Sequence, residues 1–241
     1  ELRTPLTSIR GSLSLVTNDT AGAIPEKAKQ LLHLADRNAE RLTLLINDLL
    51  DIEKIEAGRM RYEMEPQSTV HLVQQSIEAN SAYAAARTVS LAILEKPDID
   101  PTVMVDANRY LQVMANLLSN AAKFSPAGST VEVRIQAREK RARVEVRDHG
   151  PGISSKFQEK LFTKFSQGDS SDSRSKGGTG LGLAISKAII EQMGGTIGYN
   201  TVPGEGTTFF FELPLHTDAC THEKNGEEHV QGAVALPLQL N

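Results

Sequence analysis

The sequence predicts an α+β protein in which an N-terminal helical hairpin precedes an α/β sandwich. Over the first 58 residues, apolar side chains recur every three or four positions, which is the spacing of amphipathic helices. Further along, "TVEVRIQAR" and "RARVEVRD" alternate apolar and polar residues, as the half-buried strands of a hairpin do. Helical patterns lie on both sides of these strands. This interleaving indicates a sheet with helices packed on one face.

Two helices joined by a polar turn account for the first part of the chain. The first helix carries an apolar row that stops at "TNDTAGAIP": Leu2, Leu6, Ile9, Leu13 and Val16. The second is expected from Glu26 to Gly58, with Pro25 near its first turn, where a missing N–H costs little. Its apolar face is too wide for one partner helix, so we expect a homodimer that forms a four-helix bundle. The alternative is that the hairpin packs on the rest of its own chain.

The second part of the chain mixes helices and strands. The predicted helices are "VHLVQQSIEANSAYAAA", "DANRYLQVMANLLSNAAKF" with Asp106 as a cap, and "LGLAISKAIIEQMGG", which closes at Gly194–Gly195. The predicted strands are "VSLAIL", the two alternating segments, "TIGYNT" and "TTFFFELP". After Pro214 the chain is polar and irregular. We therefore predict a hairpin domain at 1–60, a sandwich domain at 61–214, and a tail or linker at 215–241.

Composition excludes several classes of function. The formal net charge is -4, and Lys and Arg do not cluster, so nucleic acid is not an expected partner. The single cysteine, Cys220, cannot form an internal disulfide or a cysteine-based metal cluster, which favours a reducing compartment. No apolar run approaches the ~20 residues that span a bilayer. We expect this segment to be cytoplasmic, with no direct membrane contact, while upstream sequence could anchor a longer protein.

The segment "NLLSNAAKF" is the first of three that indicate a common ligand. By helical spacing it places Asn116, Asn120 and Lys123 on one face of a helix. Two amides and an ammonium on one face can hold a cation and the phosphates that it binds. Polar residues on the wet face of an ordinary helix are the alternative interpretation.

The segment "DHGPGI" is the second. Asp148 ends a predicted strand, and Gly150 and Gly152 permit a backbone turn that other residues resist. A carboxylate fixed at a strand end can accept a hydrogen bond from an exocyclic amine such as that of adenine. An ordinary turn is the alternative.

The segment "KGGTGLGLAISK" is the third, a glycine-rich run that leads directly into a helix. Its free N–H groups and the helix dipole favour an anion, so it predicts a phosphate-binding loop. The spacing of Gly178, Gly180 and Gly182 matches neither a Walker loop nor the GxGxxG of dinucleotide folds. The preceding "FTKFSQGDSSDSRSKGG" predicts a mobile lid, whose Arg174 could reach the phosphates. A surface loop without this function is the alternative.

In this order, the segments resemble the core of the sensor histidine kinases of two-component systems. The family's N box corresponds to 116–124, its G1 box to 148–153, its F box to 162–165 and its G2 box to 178–182. The third glycine motif corresponds to "GEGTTF" from Gly204. The resemblance implies an ATP-binding domain of the Bergerat type, ATP and Mg²⁺ as ligands, and a response-regulator receiver domain as partner.

The resemblance also implies roles for individual residues. Asn120 would bind Mg²⁺, with Asn116 beside it and Lys123 on the phosphate chain. Asp148 would take the adenine amine, and Phe124 would lie near the base. Thr208 would support the adenine edge, and Gln167 and Arg174 of the lid would touch the γ-phosphate. The other residues that the resemblance assigns to ATP binding are Gly150, Gly152, Ile153, Gly178, Gly180, Leu181 and Gly182. Phe162 and Phe165 are expected to be packing anchors, and His149 a bystander.

The opening "ELRTP" has a counterpart in the family, where the phosphoacceptor histidine immediately precedes Glu-x-x-Thr-Pro. The expected acceptor is therefore the residue before Glu1, outside the numbering. Glu1 would be the general base for autophosphorylation, and Thr4 would orient a water for dephosphorylation of a regulator. The resulting hypothesis is an ATP-dependent protein histidine kinase that passes the phosphoryl group to a regulator aspartate. A catalytically silent ATP-binding or regulator-docking module is one alternative, and an ATPase that uses the same fold for conformational work is another.

Overall fold

The computed structural model describes residues 3–17, 24–166 and 178–216. Glu1, Gln167, Arg174 and Cys220 lie outside the described residues, as does most of the predicted lid. The described segments include most of both predicted domains. Of the glycines in the three predicted ligand-binding segments, Gly177 lies outside the described residues, and the others lie within them.

The hairpin domain consists of helix α1, Arg3–Thr17, and helix α2, Glu26–Glu56. The chain enters α2 through Pro25 and leaves it at Gly58, which has a φ of +60° that disfavours other residues. Most leucines of α2 remain exposed to solvent in the single chain, among them Leu31, Leu34, Leu42, Leu44, Leu49 and Leu50. One hairpin therefore does not bury its own apolar face. No helix of the described segments is long and apolar enough to cross a membrane.

Within the described residues, the main sheet of the second domain has five strands: β2 Ser90–Glu95, β4 Thr130–Arg138, β5 Arg141–Asp148, β6 Thr196–Val202 and β7 Gly206–Pro214. Their order is β2-β4-β5-β7-β6, and only the β2–β4 pair is parallel. A separate antiparallel pair joins β1, Glu65–Ser68, to β3, Thr102–Val105. The sequence does not predict β1 or β3. Each spans four residues, which is too short for an alternation pattern to be recognised.

Helices cover one face of this sheet. They are α3 Thr69–Ala85, α4 Ala107–Phe124 and α6 Gly182–Gln192, while α5, Ser155–Gln158, is a single turn. Asp106 caps α4 by accepting the Arg109 N–H, as predicted. Alternate residues of β4, β5 and β7 are buried against the helices. The residues between them are partly exposed, and on β4 and β5 most of these are charged. The predicted sandwich with helices on one face is confirmed.

The folded domain extends slightly beyond the predicted end at Pro214. The Leu215 N–H donates to the Lys140 carbonyl, and the His216 N–H donates to that of Thr102. Leu215 also packs against the core. These two residues, which the sequence places in the tail, are therefore bound to the sandwich domain.

Candidate functional site

The last two turns of α4 present the polar residues that the sequence predicts on one face. Asn116 Nδ2 donates to Ser186 Oγ on α6 at 2.9 Å, and Asn120 Nδ2 donates to Asn116 Oδ1 at 3.2 Å. This arrangement uses the amide nitrogen of Asn120 within the helix and leaves its carbonyl oxygen as a potential cation ligand. Lys123 lies one turn further, with Nζ 4.7 Å from the centroid of the Phe124 ring. An oxygen ligand and a cation thus follow one another along α4.

Asp148 ends β5 with a carboxylate that is almost completely buried. Its Oδ1 accepts the N–H groups of Gly150 at 2.9 Å and Thr207 at 3.2 Å. Burial raises the pKa of Asp148, and the two backbone N–H groups oppose that rise. The two bonds fix Oδ1 within the protein. The second carboxylate oxygen is therefore positioned to accept a hydrogen bond from a ligand.

Close backbone packing explains the glycines around Asp148. A Cβ at Gly150 would lie 2.9 Å from both Asp148 Oδ1 and the Phe124 carbonyl oxygen. Gly206 has a φ of +117°, and a Cβ there would overlap the Asp148 carbonyl oxygen. Gly152, with a φ of +71°, approaches the Val202 carbonyl in the same way. These glycines let the end of α4, the G1 turn and the β6–β7 hairpin meet at one point.

A threonine pair links the G1 turn to the β6–β7 hairpin. Ile153 donates its N–H to Thr201 Oγ1 at 2.9 Å, and Thr201 Oγ1 lies 2.9 Å from Thr207 Oγ1. Thr207 is opposite Asp148 in the β5–β7 register, whereas Thr208 is opposite Arg147. Because side chains alternate along a strand, Thr208 points to the other face of the sheet. The structure therefore places Thr207, and not Thr208 as predicted, on the face of the sheet that carries Asp148.

The glycine-rich loop leads into α6 next to the N box. A Cβ at Gly182 would overlap Asn116 Oδ1, and a Cβ at Gly178 would lie 3.3 Å from Lys123 Nζ. Gly180, with a φ of +73°, packs against the backbone of Phe165. Leu181 is buried and donates its N–H to Thr179 Oγ1 at 3.2 Å. The loop, the N terminus of α6 and Lys123 thus lie side by side, a combination suited to an anion.

The two F-box phenylalanines differ in their surroundings. Phe162 packs against the core and lies 6.1 Å from Tyr199 between ring centroids, as expected of an anchor. Phe165 is 64% exposed and has a φ of +60°, so its expected role as a packing anchor was wrong. His149, which the sequence treats as a bystander, makes a 3.2 Å contact through Nε2 with Glu132 on β4. Thr4 lies exposed in the first turn of α1.

The residues present fit a nucleotide that carries Mg²⁺. Asp148 supplies an acceptor for an exocyclic amine, Asn120 supplies a carbonyl oxygen, and the loop at Gly178–Gly182 supplies backbone donors. Within the described residues, no group of three or more His, Cys, Asp or Glu side chains could hold a metal without the ligand's own oxygens. A site of this kind binds a metal together with phosphates, which is the usual mode for Mg²⁺.

Comparison with known families matches both domains. Residues 105–217 match the family described as histidine kinase-, DNA gyrase B- and HSP90-like ATPase. Residues 1–58 match the His Kinase A (phospho-acceptor) domain.

Similar curated proteins are sensor kinases from several bacteria. The sensor protein GacS of Pseudomonas syringae pv. syringae is 37% identical over 219 residues, covering 89% of this chain and 24% of GacS. The circadian input-output histidine kinase CikA of Synechococcus elongatus is 37% identical over 220 residues, covering 90% and 29% respectively. The chain therefore spans about a quarter of the length of the curated relatives that it matches.

Solved structures show the same architecture. Full-length ShkA in complex with AMPPNP matches with a TM-score of 0.74 and 29% identity, covering 90% of this chain and 44% of ShkA. The Acinetobacter baumannii histidine kinase AdeS matches with a TM-score of 0.64 and 25% identity, covering 90% and 98%. The sandwich domain has the Bergerat ATP-binding fold of these catalytic domains.

Proposed function

The chain belongs to the sensor histidine kinases of two-component systems, and we propose that it transfers the γ-phosphoryl group of ATP to a histidine and then to a regulator aspartate. One observation carries the proposal. The N box, which is far in sequence from the other two segments, contacts both: its end at Phe124 lies against Gly150 beside Asp148, and Asn116 and Lys123 lie against the glycine-rich loop. A surface of this composition fits the adenine, the metal and the phosphates of ATP.

Nucleotide binding would be divided among these elements. Asp148 accepts the adenine amine, while the N terminus of α6 and Lys123 face the phosphates. Asn120 would hold Mg²⁺, which neutralises charge on the phosphate oxygens. The chain's own contribution is to position the γ-phosphoryl group and to stabilise the charge on it. Gln167 and Arg174, beyond the described residues, are proposed to close on the γ-phosphate.

Phosphoryl transfer would take place at the hairpin domain. The histidine expected before Glu1 attacks the γ-phosphorus, a nitrogen–phosphorus bond forms, the bond to the bridging oxygen breaks, and ADP leaves. Glu1 takes the imidazole proton. The phosphoryl group then passes to the aspartate of a receiver domain, and Thr4 is proposed to orient a water that hydrolyses the aspartyl phosphate to aspartate and inorganic phosphate.

The exposed leucines of α2 support the proposal of a homodimer. A second hairpin would cover them in a four-helix bundle, which is the standard way to bury such faces. We also propose that this segment acts in the cytoplasm, where ATP and response regulators are present.

The test replaces Asn120 by Ala in protein extended upstream to include the expected histidine. Autophosphorylation from labelled ATP should be abolished, because the carbonyl oxygen proposed to bind Mg²⁺ is lost. Asn80→Ala is the matched control, since Asn80 lies on α3 and donates to Ser76 within that helix. Undiminished labelling of Asn120→Ala would contradict the magnesium assignment. ATP binding without any labelling of the unaltered protein would favour the silent docking module instead.

A further inference from the structure

The phosphate-binding loop makes a direct hydrogen bond to the hairpin domain. Thr179 Oγ1 donates to Asp48 Oδ2 on α2 at 2.7 Å, while the same oxygen accepts the Leu181 N–H. Thr179 therefore connects α2 to the first residues of α6. Asp48 is half-buried, and burial raises the pKa of its carboxyl group against the opposing effect of the Thr179 bond. A carboxylate kept in a partly desolvated place is costly unless it makes a specific contact.

Neighbouring residues of α2 hold other parts of the sandwich domain. Asp51 accepts from Gln112 Nε2 at 2.8 Å and lies 3.5 Å from Arg109, both on α4. Ile52 is buried in the core of the sandwich domain, and Glu56 pairs with Lys164 near the F box. The spacing from Asp48 through Asp51, Ile52 and Glu56 follows one helical face. Asp48 alone among these reaches the phosphate-binding loop in the part of the chain that the structure describes.

This contact lies at the end of the hairpin that carries the proposed phosphotransfer residues. Arg10 on α1 lies 4.0 Å from Asp36 on α2, and this exposed pair shows which parts of the two helices lie side by side. The two helices of the hairpin run in opposite directions, so Arg3, seven residues before Arg10, lies level with Thr43, seven residues after Asp36. Asp48 is five residues further, about 7.5 Å along the axis at 1.5 Å per residue. The phosphate-binding loop thus docks within about one and a half helical turns of the described start of α1.

We infer that Asp48 is a positioning residue that holds the phosphate-binding loop, through Thr179, against the hairpin for phosphoryl transfer. The inference rests on the proposed kinase function. Asp51, Ile52 and Glu56 dock the domain as a whole, whereas Asp48 fixes the loop that faces the γ-phosphate. Small displacements of a reacting group have large effects on rate, so this single bond acts on the transfer step. It does not contribute to the affinity for ATP, since Asp48 lies on the other domain.

The test measures autophosphorylation kinetics of Asp48→Ala in protein extended upstream to include the expected histidine. Loss of the hydrogen bond should lower kcat by about five- to tenfold, the order expected for one ordinary hydrogen bond in a partly exposed place. The KM for ATP should stay within about twofold, because the nucleotide contacts remain. Asp48→Asn keeps an acceptor for Thr179 and should restore most of the rate. Asp36→Ala, which removes a carboxylate from the same helix on the side of α1, is the matched control.

Three outcomes would overturn the inference. An unchanged kcat would show that the bond does not matter for transfer. A raised kcat would show that the contact restrains the loop, and an altered KM with unchanged kcat would place the effect in nucleotide binding. Failure of the proposed function looks different, because the unaltered extended protein would then form no phosphohistidine at all.

Discussion

The buried carboxylate of Asp148 allows structural support and ligand recognition to be separated by two substitutions. Oδ1 receives two backbone N–H groups, and the other oxygen is available to a ligand. In Asp148→Asn, the amide oxygen can still accept both N–H groups, while the NH₂ group replaces the oxygen that would accept the adenine amine. In Asp148→Ala, both N–H groups lose their acceptor in a site where water has little access.

The magnitudes follow from those contacts. Each buried donor left unsatisfied costs about 1–3 kcal/mol, so loss of the acceptor for two donors in Asp148→Ala should lower the free energy of unfolding by about 2–6 kcal/mol. Asp148→Asn should lower it by less than about 1 kcal/mol, since one acceptor replaces another. A hydrogen bond to a charged group contributes about 1.5–3 kcal/mol, so Asp148→Asn should weaken ATP binding by about 10- to 150-fold.

Urea unfolding and calorimetric titration with a non-hydrolysable ATP analogue measure the two effects on the same protein. Asn80→Ala controls for loss of a polar side chain away from the site. Wild-type affinity in Asp148→Asn would refute the assignment of Asp148 to the adenine amine. An equal loss of stability in the Asn and Ala variants would refute the proposal that Oδ1 supports the fold while the other carboxylate oxygen binds the ligand.

Three further predictions concern the same surface. Gly206→Ala should lower the free energy of unfolding by about 2–4 kcal/mol more than Gly204→Ala does. Both glycines have a positive φ, but only a Cβ at Gly206 would overlap Asp148. Equal losses of stability in urea unfolding would contradict this prediction. Thr207→Val should weaken nucleotide binding severalfold while Thr208→Val leaves it unchanged, and titrations giving the reverse order would restore the original assignment. Because burial raises the pKa of Asp148, ionisation of this carboxyl group destabilises the folded state. The destabilisation is absent below the unfolded pKa of about 3.9, and stability is lost as pH rises from there through the folded pKa. The stability of wild type relative to Asp148→Asn should therefore be greater at pH 4 than at pH 7, and a difference independent of pH in urea unfolding would contradict it.

Local sequence signals were sufficient for the long elements. The apolar period, Pro25 and Gly58 predict α2, and Asp106 predicts the start of α4, because each signal acts within a few residues of the chain. The local structure of the three segments proposed to bind the ligand was also predictable, since a carboxylate at a strand end, a polar helix face and a glycine-rich helix start each have local requirements. The short strands β1 and β3 were not predicted because four residues are too few for an alternation pattern to be recognised.

The errors at the site arise from features that only the fold determines. The choice between Thr207 and Thr208 depends on the register of β7 against β5, and a shift by one residue reverses the face. The alternation of "TTFFFELP", in which Phe209 and Phe211 are buried, places Thr207 on the buried face and could have indicated the correct residue. No local pattern marks Asp48, because its role depends on how two domains dock.

The most direct test of the central claim is the identification of the phosphorylated residue in protein extended upstream of Glu1. After incubation with Mg²⁺ and ATP labelled at the γ-phosphate, we predict one acid-labile phosphohistidine in the peptide that leads into "ELRTPLTSIR". The label should then pass to the aspartate of a receiver domain. Hydrolysis of ATP without any phosphohistidine, or a label on a different residue, would contradict the account.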